Sequence, residues 1–495
     1  MDAMFEGLSL ISNGPAILAI FFGVFVGVLV GALPGLSSPM AIALLLPFTI
    51  SLPPASAIGM LAALYCAGTF GGSITAILIN APGAPPAAAT ALDGYPMAKR
   101  GEAGRALGLA TFSSVIGGVI SLFIFLLAAP ALAAVALEFG PTEYCALTLF
   151  ALSMLATISG RSAIRNLISG FVGLLIGTVG IQLVTGIERF TFGIPELSEG
   201  ISFIPVLIGL FAIGELLSQT NTANVAYDRI TSVVVKLPSK EDFRRVFGTV
   251  LRSSGIGTFI GILPAEGSTV AAIIGYNEAK RWSKTPEEFG KGCPEGIAGP
   301  EAANNAATGG AMVPTLALGI PGSGSTAVIL AALIMHGVRP GPQLINNQPE
   351  FMYAIFGAML LANFMFLGIG FLGAKVFSRI TMIPKQFLWP AVFTFSVIGA
   401  YSFASSVFDV WIMLAAGVVG FLMNRHGFGP APLIMGVVLG PIVEEKLGQA
   451  MIIMDNQWWR MFESPIALFF FLLTGVSLLW PLVRKFRKRS AKAAA

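Results

Sequence analysis

Long apolar runs follow one another along most of the chain. Stretches 107–137, 163–187, 200–217 and 465–483 are each long enough to cross a bilayer as a helix, which takes about 20 apolar residues. One segment departs from that pattern: Glu295-Gly-Ile-Ala-Gly-Pro-Glu-Ala-Ala-Asn-Asn-Ala-Ala-Thr-Gly-Gly310, continuing to Gly319-Ile-Pro-Gly-Ser-Gly-Ser-Thr326. It sets an acid, two adjacent amides and a threonine where a membrane helix should be apolar, and then breaks at Pro-Gly. Such groups at bilayer depth are costly and usually face a pathway or a binding site. A broken helix at that depth exposes its end dipoles and bare backbone groups to a ligand.

The pattern occurs twice. Gly27-Val-Leu-Val-Gly-Ala-Leu-Pro34 resembles Gly257-Thr-Phe-Ile-Gly-Ile-Leu-Pro264. Gly71-Gly-Ser-Ile-Thr-Ala-Ile-Leu-Ile-Asn-Ala-Pro-Gly83 resembles Gly310-Ala-Met-Val-Pro-Thr-Leu-Ala-Leu-Gly-Ile-Pro-Gly322, and Gly214-Glu-Leu-Leu-Ser-Gln219 resembles Glu444-Glu-Lys-Leu-Gly-Gln449. Three matches in one order argue for a duplication. Positive loops prefer the cytoplasm, which places Lys99 to Arg105, Arg161 to Arg165 and Arg229 to Arg252 inside, and the acidic segments Glu138–Glu143 and Glu188–Glu199 outside. Their second-half counterparts, Lys375 to Lys385 and Asn424 to Gly427, are basic and fall inside. The halves therefore carry opposite orientation. The predicted organisation is an inverted repeat at 1–225, a cytoplasmic linker at 226–250, a second repeat at 251–449, and a final transmembrane helix with a basic tail at 450–495.

Basic clusters on both sides of Leu263-Pro-Ala-Glu-Gly-Ser-Thr269 make the chain between them enter and return. Arms of about 12–16 residues are roughly 18–24 Å long as helix, short of a full span. A re-entrant hairpin with its tip near Pro264 is expected, partnered by one at Leu33-Pro-Gly-Leu-Ser-Ser-Pro39, whose longer arms leave two full spans open as an alternative. The predicted fold is all-α and polytopic: in each repeat a hairpin and a broken helix followed by four continuous spans, plus the C-terminal helix. Arg339 is the one charge that this arrangement places awkwardly, outside.

Composition narrows the function classes. With 495 residues, 55% hydrophobic and 11% charged, the chain is not an ordinary soluble domain. Gly 58 and Pro 31 suit close helix packing and interrupted spans. The net charge of +4 is not a nucleic-acid signal, because it concentrates in Arg484-Lys-Phe-Arg-Lys-Arg489, a cytoplasmic anchor after a hydrophobic span. No Lys or Arg precedes Lys99, so no charged leader is expected and the N-terminus is placed in the periplasm. Cys66, Cys145 and Cys293 are scattered, and neither His336 nor His426 has ligand spacing, so no disulfide framework or metal cluster is expected.

Two hairpin tips and two helix breaks converge by symmetry. Non-helical backbone survives in a membrane only when buried in protein or lining a wet cavity. Helices starting at Ser38, Ala87, Ser268 and Ser325 would aim unpaired N–H groups at that cavity, which suits carboxylate oxygens. Carbonyls before Pro34, Pro82, Pro264 and Pro321 could hold a cation. The expected substrate site is Ser37, Ser38, Asn80, Gly83, Asn304, Asn305, Thr308, Gly322, Ser323, Ser325 and Thr326. The expected coupling-ion site is Gly35, Glu266, Ser268, Thr269 and Glu301. Each hydroxyl could instead cap its own helix, Glu266 could do the same, and Glu301, Asn305 and Thr308, on one helical face, could clamp neighbouring helices. No catalytic residue, no cofactor and no metal beyond a Na⁺ is expected.

At these residues the chain resembles the large permease subunit of the tripartite tricarboxylate transporters over nearly its whole length. The resemblance rests on Gly31-Ala-Leu-Pro-Gly-Leu36, Tyr276-Asn-Glu-Ala-Lys-Arg-Trp-Ser-Lys284, Pro286-Glu-Glu-Phe-Gly290, Pro300-Glu-Ala-Ala-Asn-Asn-Ala306, Gly319-Ile-Pro-Gly-Ser323 and Ala431-Pro-Leu-Ile-Met-Gly-Val-Val-Leu-Gly440. It implies a bacterial inner-membrane carrier of citrate or related carboxylates, working with a small membrane subunit and a periplasmic solute-binding protein. An Na⁺ or H⁺ gradient would drive it rather than ATP, and no Walker-type motif is present. A looser likeness to elevator-type carriers is architectural analogy. The competing classes are a passive channel and, on Gly322-Ser-Gly-Ser325 with His336, an intramembrane hydrolase.

Overall fold

The structure is a computed structural model describing residues 2–33, 35–158, 163–182, 184–219, 234–263, 267–380 and 385–493. Helix dominates. In the first half the helices are α1 (Asp2–Ile11), α2 (Gly14–Gly31), α3 (Ser38–Leu45), α4 (Pro54–Ile79), α5 (Ala87–Met97), α6 (Ala103–Leu137), α7 (Pro141–Ile158), α8 (Ala163–Gly177), α9 (Phe203–Ile208) and α10 (Gly214–Gln219). In the second they are α11 (Lys240–Ile262), α12 (Gly267–Trp282), α13 (Pro294–Leu318), α14 (Gly324–Met335), α15 (Pro342–Asn347), α16 (Pro349–Ile380), α17 (Lys385–Ala404), α18 (Val407–Arg425) and α19 (Pro430–Ile453), before the final α20 (Pro465–Ala493). The described strands, β1 (Gly180–Ile181) and β2 (Glu188–Arg189), form one antiparallel ribbon.

Two helices form the centre. Every residue of α4 from Ala55 to Ile79 is buried, as is every residue of α13 from Pro294 to Ala317. Such helices see protein rather than lipid, so polar side chains on them can be matched by partners. α2 packs along α4, and α11 along α13. Small residues permit both contacts. A Cβ on Gly23, Gly27 or Gly31 would come within 2.6 Å of the carbonyls of Met60, Leu64 and Gly68, and one on Gly257 or Gly261 within 2.5 Å of those of Ala303 and Ala307. Backbones this close are the small-residue packing used between membrane helices. The other contacts also recur: α16 lies on α4 and α6 on α13, α14 on α4 and α5 on α13, α14 on α3 and α5 on α12.

The two central helices end alike. Asn80 (φ 54°) follows α4 and Gly319 (φ 69°) follows α13, each left-handed and each bonding back to the carbonyl five residues earlier. The next N–H groups, of Ala81 and Ile320, return to those same carbonyls, Thr75 and Pro314. This Schellman-type closure is the reason the chain stops one turn before each Pro-Gly and restarts as α5 or α14.

Several lengths differ from expectation. The run 163–187 is not one span: α8 stops at Gly177, and Gly180 (φ 108°) turns the chain into the ribbon. Residues 200–217 are helical but interrupted by a wide turn at Gly209–Ile213. α3 has 8 residues, roughly 12 Å, and runs into a 3₁₀ turn at Leu46–Thr49 containing Pro47, so the first hairpin is not a pair of full spans. α11 has 23 residues because its helix extends back from the apolar arm through Arg252, Arg245 and Arg244 to a capping box between Ser239 and Asp242. Among the described residues five helices are long and apolar enough to cross a membrane. The remaining apolar helices, α8 and α14 among them, are shorter or interrupted.

Candidate functional site

The starts of α3, α12 and α14, the Ala84–Pro86 turn entering α5, and the middle of α4 surround a cavity of about 180 Å³. Local chemistry sets this arrangement. The Ser37 hydroxyl accepts from Met40 N (3.4 Å) and caps α3. Ser323 and Thr326 form a capping box that fixes the first turn of α14: Thr326 N donates to Ser323 Oγ (3.2 Å) and Ser323 N to Thr326 Oγ1 (2.8 Å). Tyr65 Oη lies 3.2 Å from Ser323 Oγ and ties α4 to α14. Pro39 and Phe211 supply an apolar wall. The cavity thus combines serine and threonine hydroxyls with converging helix N-termini, a field that favours anions.

The expected residues distribute unevenly around it. Ser37, Ser38, Ser268, Thr269, Ser323 and Ser325 line the one cavity, although they come from three helix starts far apart in sequence. Thr326 is buried within its cap, away from the lining. Gly83 and Gly322 sit at close backbone approaches: a Cβ would come within 1.9 Å of the Gly31 carbonyl and 2.9 Å of Ala311 respectively. Asn80 is exposed, its role here being the left-handed cap of α4. Gly35 (φ 91°) makes the turn between α2 and α3. Glu266, Pro34 and Pro264 lie outside the described residues. Sequence reasoning missed Tyr65 and Thr69, which sit in an apolar run with no break to mark them.

Glu301, Asn304, Asn305 and Thr308 do not line that cavity; they form a second, closed polar cluster. Glu301 has no exposed surface. Ser73 of α4 and Thr90 of α5 bond its Oε1, Ser114 of α6 lies 2.7 Å from Oε2, and Asn304 Nδ2 reaches Oε1 at 3.4 Å. Asn305 Nδ2 donates to Asn304 Oδ1 (2.8 Å), and Thr308 bonds the Asn305 carbonyl (2.7 Å) and Cys66 Sγ (3.6 Å). The three hydroxyls around Glu301 were not singled out from the sequence, because they stand on three separate helices with nothing local to tie them to that acid.

A third set of polar contacts holds the chain before α13. Asp93 of α5, fully buried, accepts N–H bonds on Oδ1 from Gly290, Gly292 and Cys293 (2.9, 2.8 and 2.7 Å) and the Tyr276 hydroxyl on Oδ2 (2.9 Å). Arg245 pairs with Glu295 (2.7 Å) and Glu288 (2.6 Å). Arg105 joins α6 to Asp242 at the start of α11 (2.5 Å). Burial pushes Asp242 up, yet the Arg105 hydrogen bonds and charge, with the Ser239 hydroxyl, hold it below the usual carboxylate range. His336 bonds Thr49 Oγ1 (3.0 Å) at the far end of α14, about 16 Å along the helix from Ser325, so these two do not make a Ser–His pair.

Residues 17–435 match the Tripartite tricarboxylate transporter TctA family. The chain is 41% identical over 454 residues to an uncharacterised 52.8 kDa protein in the TAR-I ttuC' 3' region of Agrobacterium vitis, covering 91% of this chain and 90% of that protein. It is 39% identical over 211 residues to an uncharacterised protein in the TAR-II ttuC' 3' region of the same organism, covering 43% of this chain and 87% of that protein. No solved structure matches it.

Proposed function

The chain belongs to the tripartite tricarboxylate transporter TctA family, and from that premise we propose that it is the large permease subunit of a carrier importing organic carboxylates. The observation that carries this reading is the cavity of about 180 Å³ bordered by hydroxyls and by the N-terminal ends of α3, α12 and α14. It is smaller than the ~300–1,000 Å³ sites of drug-sized ligands, which suits a compact acid such as citrate or a related di- or tricarboxylate. Unpaired N–H groups and hydroxyls can replace the water that a carboxylate sheds on entry.

Alternating access driven by an ion gradient is the proposed mode, with an inverted repeat over 1–225 and 251–449 and the linker 226–250 on the cytoplasmic side. The recurring helix pairings and the matched closures at Asn80 and Gly319 support it. The elevator comparison remains an analogy of architecture. In this reading the protein sits in the bacterial inner membrane beside a small membrane subunit, and a periplasmic solute-binding protein delivers the anion. Uptake of labelled di- and tricarboxylates into proteoliposomes, with and without Na⁺ and pH gradients, tests it. Saturable, gradient-dependent uptake is expected; flux that rises linearly with concentration and ignores both gradients would make the protein a pore.

A further inference from the structure

Glu301 is sealed from solvent, and among the described residues no Lys, Arg or His pairs with it. An ionised carboxylate in that position, without a counter-charge, is strongly disfavoured. The neutral acid fits the same surroundings. In the neutral acid Oε1, as the carbonyl, keeps its bonds from Ser73, Thr90 and Asn304, and the Ser114 hydroxyl, which donates to Oε2 at 2.7 Å, can turn to accept the acid proton instead.

The neighbouring ionisable groups are engaged elsewhere. Asp93 of α5 holds Tyr276 of α12 and the chain before α13. Glu295 at the start of α13 pairs with Arg245 of α11, and Arg105 of α6 with Asp242 of α11. On α4, Cys66 meets Thr308 and Tyr65 meets Ser323. α16 brings the neutral Asn363 against Gly118 of α6. A polar line does leave Glu301 along α13, through Asn304, Asn305 and Thr308 to Cys66, whose neighbour Tyr65 lines the cavity. Asn305 Oδ1 on that line is buried with no hydrogen-bond partner.

Resting on the carrier reading, we infer that Glu301 takes up and releases one proton in each transport cycle. The acid holds its proton while Ser73, Thr90 and Ser114 enclose it. When α13 parts from those helices, water enters, the O–H bond breaks, the proton passes to water on the inner side and a carboxylate remains; a proton from the outer side restores the acid.

The test uses the full chain with its partner subunits in proteoliposomes, citrate as the probe, equal Na⁺ on both sides and an acid exterior. Wild-type protein should accumulate citrate and acidify the lumen faster than protein-free vesicles do, and a protonophore, by collapsing the pH gradient, should abolish the accumulation. Glu301→Gln should cut pH-driven accumulation at least tenfold, and Glu301→Asp should recover part of it. Thr90→Val removes a bond worth more to the ion than to the acid, so it should move the pH midpoint of uptake upward by about one unit. Thr90→Val decides the matter if Glu301→Gln does not fold. Infrared spectra of purified protein supply a readout independent of transport: a carboxylic-acid carbonyl band present in the wild type and missing in Glu301→Gln. Absence of that band, or an unshifted midpoint in Thr90→Val, would overturn the proton role while leaving the carrier reading in place. Wild-type protein that shows the band yet takes up none of the labelled di- and tricarboxylates under a Na⁺ or a pH gradient would overturn the carrier reading and this inference with it.

Discussion

Removing the Asp93 carboxylate should release the chain that leads into α13, and the size of the effect follows from its bonds. Oδ1 satisfies three backbone N–H groups at 2.7–2.9 Å inside the protein. In Asp93→Ala all three lose their acceptor, and a buried unmade bond costs about 1–3 kcal/mol. The lower end of that range summed over three bonds is ~3 kcal/mol, which makes local opening roughly a hundredfold more frequent. Asp93→Asn keeps an acceptor for the three N–H groups and disturbs only the Tyr276 hydroxyl, so its effect should stay under about tenfold. Cys293 reports the opening, since its own N–H is one of the three bonds. Burial, helped by the Glu295 carboxylate, pushes its thiol up to about 12, so near neutral pH it reacts with alkylating reagents only when the segment opens. Mass spectrometry of alkylated protein scores Cys293 separately from Cys66 and Cys145. Wild-type labelling rates at Cys293 in Asp93→Ala would refute the anchoring role.

Other consequences are open to measurement. Single cysteines near Lys99, Ser239, Lys284 and Lys488 should label from the cytoplasm and those near Thr142 and Glu199 from the periplasm; periplasmic labelling at 284 contradicts the second re-entrant hairpin. Ser268→Ala, Thr269→Ala or Ser325→Ala should each weaken apparent carboxylate or ion affinity by about ten- to hundredfold, at ~1–3 kcal/mol per lost bond, whereas unchanged affinities would leave these hydroxyls as helix caps alone. Because the folded Asp242 is held below its usual value, its stabilising contribution is present above the unfolded carboxylate range near pH 4 and is lost as pH falls through the folded value. Thermal unfolding followed from pH 6 downward should therefore show a smaller acid loss in Asp242→Asn than in the wild type, and equal slopes would remove Asp242 from the account.

What could be read ahead of the structure was local. The breaks after α4 and α13 were marked by Pro-Gly, because a proline acts within a few residues, whereas Asn80, expected in the substrate site, proved to be the left-handed cap of α4. The caps Ser37 and Ser323 are local too: α3 begins at Ser38 as expected, and α14 at Gly324, one residue before the expected Ser325. The run 163–187 misled, since its apolar residues continue past Gly177 while the backbone turns into a ribbon at Gly180. Arg189 of that ribbon bonds Glu444 of α19, a partner 255 residues away. The same limit hid the surroundings of Glu301. That acid stood out because an ionisable group in an apolar run has one obvious physical problem, but its solution came from Ser73, Thr90 and Ser114 on three other helices. One-letter context cannot distinguish these serines from those that back-bond to their own helix, as Ser121 does to Gly118. Only packing sorts them, and here glycines set it: Gly117 seats α6 against the carbonyl of Ala302, the residue after Glu301, and so brings Ser114 within reach of the carboxyl group. A bulkier residue at 117 should therefore disturb the Glu301 cluster without touching any polar group in it.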